Sequence, residues 1–131
     1  MIVAVHSYRT SVRLKRAEWL QKLYQQFYES DRYKEVSRFL DYRPEKEISD
    51  LHARLVDLTR DDLSDKLWEY LNFFEFVAGL LQLKQITEED LNLLFQYPLQ
   101  NIAADEKIMA TLDSEGFEYL HAFMCKAHGL Q

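Results

Sequence analysis

Glycine, proline and cysteine are scarce in this chain, and each shortage excludes something. Average usage would place about 9 glycines and 6 or 7 prolines in a chain this long. Only 3 and 2 are present among the 131 residues, which leaves few positions suited to tight turns and favours long helices over many short strands. The three glycines, Gly79, Gly116 and Gly129, are too scattered to build a phosphate-cradling loop. One cysteine, Cys125, rules out an intramolecular disulfide and suits a reducing compartment. The opening run MIVAVHSYR is too short for a signal peptide or a membrane span. A soluble cytoplasmic protein is the simplest reading.

Apolar material is plentiful. With 47% hydrophobic residues and 8 Tyr, 8 Phe and 2 Trp, the chain can bury a core of ordinary size, about two thirds of its unfolded surface at this length. One domain over 1–131 is expected. The formal charge of −6 is uneven: residues 1–30 carry five Lys or Arg against two acids, an excess of +3, and the remainder carries eleven against twenty. So acidic a body makes nucleic-acid binding unfavourable.

Periodicity marks the helices. Val12, Arg16, Trp19, Leu20, Leu23 and Phe27 recur at helical spacing and predict a long first helix from about Val5 to Glu29. Ser30 or Asp31 caps a short second helix with Val36, Phe39 and Leu40 inward and Arg32 on the same face. Pro44 opens a third helix to about Asp57, and TRDDLSD caps a fourth over about 62–85. Thr87 caps a fifth helix that Pro98 stops at Tyr97. Residues 99–112 are compatible with a further helix. Asp113 or Ser114 caps the last, from about Glu115 to His128, with Gly129 after its end. The expected fold is an all-α bundle of six or seven helices around the fourth.

That fourth helix contains LWEYLNFFEFVAGLLQL, Leu67–Leu83. At about 100° per residue, Leu67, Leu71, Phe74, Ala78 and Leu81 share one side, and Phe73, Phe76, Val77 and Leu80 cover most of the other. A helix apolar nearly all round is expected to be buried on several faces and central. Asn72, Glu75 and Gly79 form the one narrow polar and small strip between those faces. An unpartnered carboxylate in a core is very costly, so Glu75 needs a partner. Arg32 is the first choice and Arg16 the second, since a guanidinium satisfies a carboxylate with two parallel hydrogen bonds. The strip reads as a buried polar centre that fixes helix register, with a ligand-lining role as the alternative.

The stretch YLNFFEFVAGLLQLKQITEEDL, preceded by a basic first helix and an Arg on a short second one, resembles a family of small all-helical bacterial proteins designated only as a domain of unknown function. The resemblance covers roughly 20–90 and rests on Leu71, Asn72, Glu75, Gly79 and Arg32. It implies an all-helical fold and supplies no activity. Family members often carry a membrane-spanning helix ahead of this region, so the resemblance places Met1 where such a helix would exit.

Other constellations have plainer explanations. His121, Cys125 and His128 project from one side of the last helix and are good zinc ligands by type. The two histidines are about 10 Å apart along the axis, too far to share one ion with the thiol, so a half-buried helix face is the better reading and no metal or cofactor is expected. Glu88, Glu89 and Asp90 suit the dipole of a helix start. Ser7, Ser11, Ser37, Ser49, Ser64 and Ser114 lie at helix starts or on polar faces, none in a nucleophile elbow. The basic, aromatic first helix, with Tyr8, Arg9, Arg13, Lys15, Arg16, Trp19 and Tyr24, carries a modest excess of cations. Together these observations favour a non-catalytic helical interaction or accessory module that binds a protein partner or self-associates. A protein held at a membrane surface by its basic first helix is the second reading, and a small-ligand-binding protein or enzyme with a pocket around Glu75 the third.

Overall fold

A computed structural model describes residues 2–42 and 62–128. They form six helices: α1 (Ile2–Tyr28), α2 (Asp31–Tyr42), α3 (Asp62–Gln82), α4 (Glu88–Ala103), α5 (Glu106–Ser114) and α6 (Glu118–His128). The fold is all-α, with no strand among the described residues. The helix expected over about 44–57 lies outside them. The chain divides into two compact units, Met1–Ser30 and Asp31–Gln131.

The first unit is α1 alone. Its 27 residues extend about 40 Å at 1.5 Å per residue. Along the expected stripe Leu23 and Phe27 are buried, Trp19 and Leu20 are half-buried, and Val12 and Arg16 are exposed. Every residue from Ser7 to Glu18 is exposed. The stripe is therefore apolar in sequence but not buried along its whole length.

In the second unit α3 packs against α2 and α6. Leu67, Tyr70, Leu71, Phe73, Phe74, Val77 and Ala78 are buried and span about 160° of the helix circumference. Tyr33, Tyr70, Phe73, Phe74 and Phe95 meet edge-on or tilted, with ring centroids 5.1–6.1 Å apart, the geometry aromatic quadrupoles prefer. The opposite side of α3 faces solvent: Glu69, Asn72 and Phe76 are exposed, Phe76 by 53%. The helix is buried on several faces, as its composition predicts, but Phe76 is not among the covered residues. Phe76 lies about 60° and 100° round the helix from Phe73 and Val77, beyond the arc that α2, α4 and α6 cover.

Helix ends account for the other differences. α3 closes at Gln82 in a Schellman motif, with Gln85 N–H donating to Leu80 O at 2.9 Å and Lys84 N–H to Leu81 O at 2.9 Å. Lys84 takes the left-handed position at φ 60°, where glycine is favoured. Pro98 does not end α4. Helical geometry lapses at Phe95 (φ −134°, ψ 20°) and resumes, so Pro98 falls in the first turn of the resumed segment, where its missing N–H costs little. Burial of Pro98, Leu99 and Ile102 keeps that segment helical. The buried Asp105 then caps α5, accepting from Lys107 N at 2.9 Å and Ile108 N at 3.0 Å. Asp113 and Ser114 belong to α5 rather than capping the last helix. α5 ends at Ser114, and Gly116 just beyond it takes a φ of +85° that glycine adopts without strain.

Candidate functional site

The polar strip of α3 meets the start of α6. Phe117 stands at the position before Glu118 where a Ser, Thr, Asp or Asn would normally cap the helix. It is buried and stacks on Trp68 with centroids 5.3 Å apart and planes at 26°. A phenyl ring has no oxygen to offer, so the first amides of α6 need an acceptor from elsewhere. Glu75 supplies it. Oε1 accepts from Tyr119 N–H and Oε2 from Leu120 N–H, each at 2.9 Å. One carboxylate thus satisfies two orphan donors and places negative charge at the positive end of the α6 dipole.

This corrects the expected ion pair. Arg32 pairs with Glu69, Nε to Oε2 at 2.6 Å and a terminal guanidinium nitrogen to Oε1 at 3.0 Å. Both side chains are about half exposed. One turn along, Lys66 pairs with Glu35. The two pairs have opposite polarity across antiparallel helices, so they fix the register of α2 on α3. Burial raises the Tyr33 hydroxyl above its ordinary pKa, the Glu69 carboxylate raises it further, and Arg32 opposes both.

The predicted polar centre is only partly assembled. Glu75 and Gly79 are half-buried and face α6, while Asn72 is exposed. Gly79 does not mark a very close helix approach: a Cβ built there would meet Tyr119 Cδ2 at 3.7 Å, ordinary contact. Arg16 is exposed on α1. With both oxygens engaged, Glu75 resembles a structural cap more than a proton-transfer group.

His121 and Cys125 are brought together, with Nε2 and Sγ 3.6 Å apart, and His128 is the last residue of α6. Among the described residues no group of three or more His, Cys, Asp or Glu could hold a metal ion. His121 and Cys125 line a depression of about 420 Å³ together with Glu106, Met109, Ala110 and Asp113 of α5. Sequence reasoning missed this depression, because it exists only where the end of α4, α5 and α6 fold against one another. Of the acids after Thr87, Asp90 closes a reciprocal capping box, Thr87 N–H to Asp90 Oδ2 at 2.9 Å and Asp90 N–H to Thr87 Oγ1 at 3.1 Å. Glu88 pairs with Lys126 at 3.1 Å. No described helix is long and apolar enough to cross a membrane. No family model, curated protein or solved structure matches the chain.

Proposed function

We propose that the chain is a non-catalytic interaction module whose N-terminal helix is its docking element. One observation carries this reading: residues 7–18 of a regular helix are all exposed, including Tyr8 at 71%, Val12 at 47% and Leu14 at 60%. Tyr8 and Val12, one turn apart, share a face of this solvated helix, and an apolar ridge of that kind is the anchor of a helix that docks on a partner. The engagement of Glu75 by the α6 amides weighs against the third reading, a reactive pocket around that carboxylate.

The test is native-lysate size analysis of the wild type beside the double variant Tyr8→Glu/Val12→Glu. The wild type is expected to travel in a complex larger than its 15.7 kDa chain, and the variant to travel alone. Wild type travelling alone, or a variant that keeps the complex, would overturn the proposal.

Four cations at Arg9, Arg13, Lys15 and Arg16, with no acid before Glu18, support the membrane-surface reading as a second. Salt-sensitive flotation of the protein with anionic vesicles is its test. Against it, Leu14 lies about 200° round α1 from Val12, so the apolar groups do not gather on the single face that a helix lying in lipid presents.

A further inference from the structure

We infer that the occupant of the α1 face is a second copy of this chain, which receives α1 on the depression beside α5. The inference rests on the reading of α1 as a docking element and names its partner.

The α5 surface has the complementary character. Glu106, Met109, Ala110 and Asp113 follow at i, i+3, i+4 and i+7, so they share one face, and all four line the depression of about 420 Å³. Met109 and Ala110 lie between its two α5 carboxylates, which stand about 10 Å apart along the helix axis. Both acids are exposed, and no ion pair to either is seen among the described residues.

On α1, Tyr8 and Val12 form one apolar ridge with Arg9 and Arg13 beside it, one helical turn apart. Long arginine stems span the difference between that spacing and the separation of the acids. Val12 would cover Met109 and Ala110 while the guanidinium groups engage Glu106 and Asp113 with paired hydrogen bonds. The charge balance runs the same way at larger scale: residues 1–30 are at +3, from five cations and two acids, and residues 31–131 are at −9, from eleven and twenty. Attraction between unlike surfaces steers such an encounter and weakens with added salt.

The test uses charge exchange. Sedimentation equilibrium is run on the full chain, on Arg9→Glu/Arg13→Glu, on Glu106→Arg/Asp113→Arg, and on an equimolar mixture of the two variants. The wild type should self-associate, and each variant alone should associate at least about tenfold more weakly, because like charges then face each other. The mixture should recover association, since Glu on one α1 then meets Arg on the other α5 and the remaining native pair is intact. Recovery also shows that both variants are folded. A wild type that is monomeric throughout, association indifferent to the reversals, or a mixture that stays monomeric would each overturn the inference. A monomer whose Tyr8→Glu/Val12→Glu variant still loses a complex in the lysate would leave α1 as a docking element for a different protein, and binding of wild type only to anionic vesicles would assign it to lipid.

Discussion

Replacing Glu75 by alanine leaves two amides of α6 without their acceptors, and the structure sets the scale of the loss. The Leu120 N–H is part-buried, and losing a charged acceptor there costs about 1.5 kcal/mol. The Tyr119 N–H is exposed, water replaces its partner, and about 0.5 kcal/mol is lost, the lower end of capping effects. The total of about 2 kcal/mol corresponds to a fall in Tm of about 6–8 °C at this chain length. Glu75→Gln keeps one oxygen but loses the charge and the second acceptor, and should cost about half as much. Glu69→Ala serves as control, because an exposed ion pair contributes about 0–1 kcal/mol. Equilibrium urea unfolding followed by circular dichroism measures all three. Glu75→Ala no more destabilised than Glu69→Ala would refute the capping argument, as would a neutral effect of Glu75→Gln combined with slow exchange of the Tyr119 and Leu120 amides.

Three further outcomes follow from the helix ends and from Tyr33. Lys84→Gly should stabilise the protein by about 1 kcal/mol in urea unfolding, because glycine takes φ 60° without the penalty a side chain meets there; a destabilised variant would count against the Schellman closure of α3. Asp105→Ala should lower stability by about 1–2 kcal/mol through loss of a buried cap on α5, measured the same way, and a change below a few tenths would contradict that role. Tyr33 has a folded-state pKa above its ordinary value of 10.0, so its contribution to stability is complete below pH 10 and is lost as pH rises through the shifted value. Tyrosinate absorbance of wild type minus Tyr33→Phe should therefore show a midpoint above pH 10, and a midpoint at or below it would contradict the burial of that hydroxyl.

Periodicity and local caps made most of the fold legible. α1 and α2 follow the expected spacing to within a few residues, and Thr87 with Asp90 forms the capping box that the sequence announces. Non-local groups decided the rest. The start of α6 is invisible to a local reading because its cap oxygen belongs to Glu75, 44 residues before Tyr119, while a buried Phe117 occupies the cap position. A carboxylate in an apolar helix suggests an arginine partner, although backbone amides can satisfy it equally well. Pro98 misled for a related reason: the break that proline demands sits at Phe95, and burial of Leu99 and Ile102 rewards resuming the helix. The available signal was the absence of Ser, Thr, Asp or Asn directly before Glu118, next to Gly116, which marks a helix ending there instead of one already under way.

The same reasoning separates what the strip on α3 does from what it only resembles. Asn72 faces solvent, Gly79 has room for a methyl group, and Glu75 alone joins two helices. The structural weight of the motif therefore rests on one carboxylate and two amides, with Trp68 stacked on Phe117 holding the turn between α5 and α6 in place.

Scalar coupling across hydrogen bonds, read by NMR from the Tyr119 and Leu120 amide nitrogens, tests the capping of α6 most directly. The account predicts that both nitrogens correlate with the side-chain carboxylate carbon of Glu75 and that both correlations vanish in Glu75→Ala. Correlations absent in the wild type, with both amides exchanging as fast as unstructured ones, would contradict it.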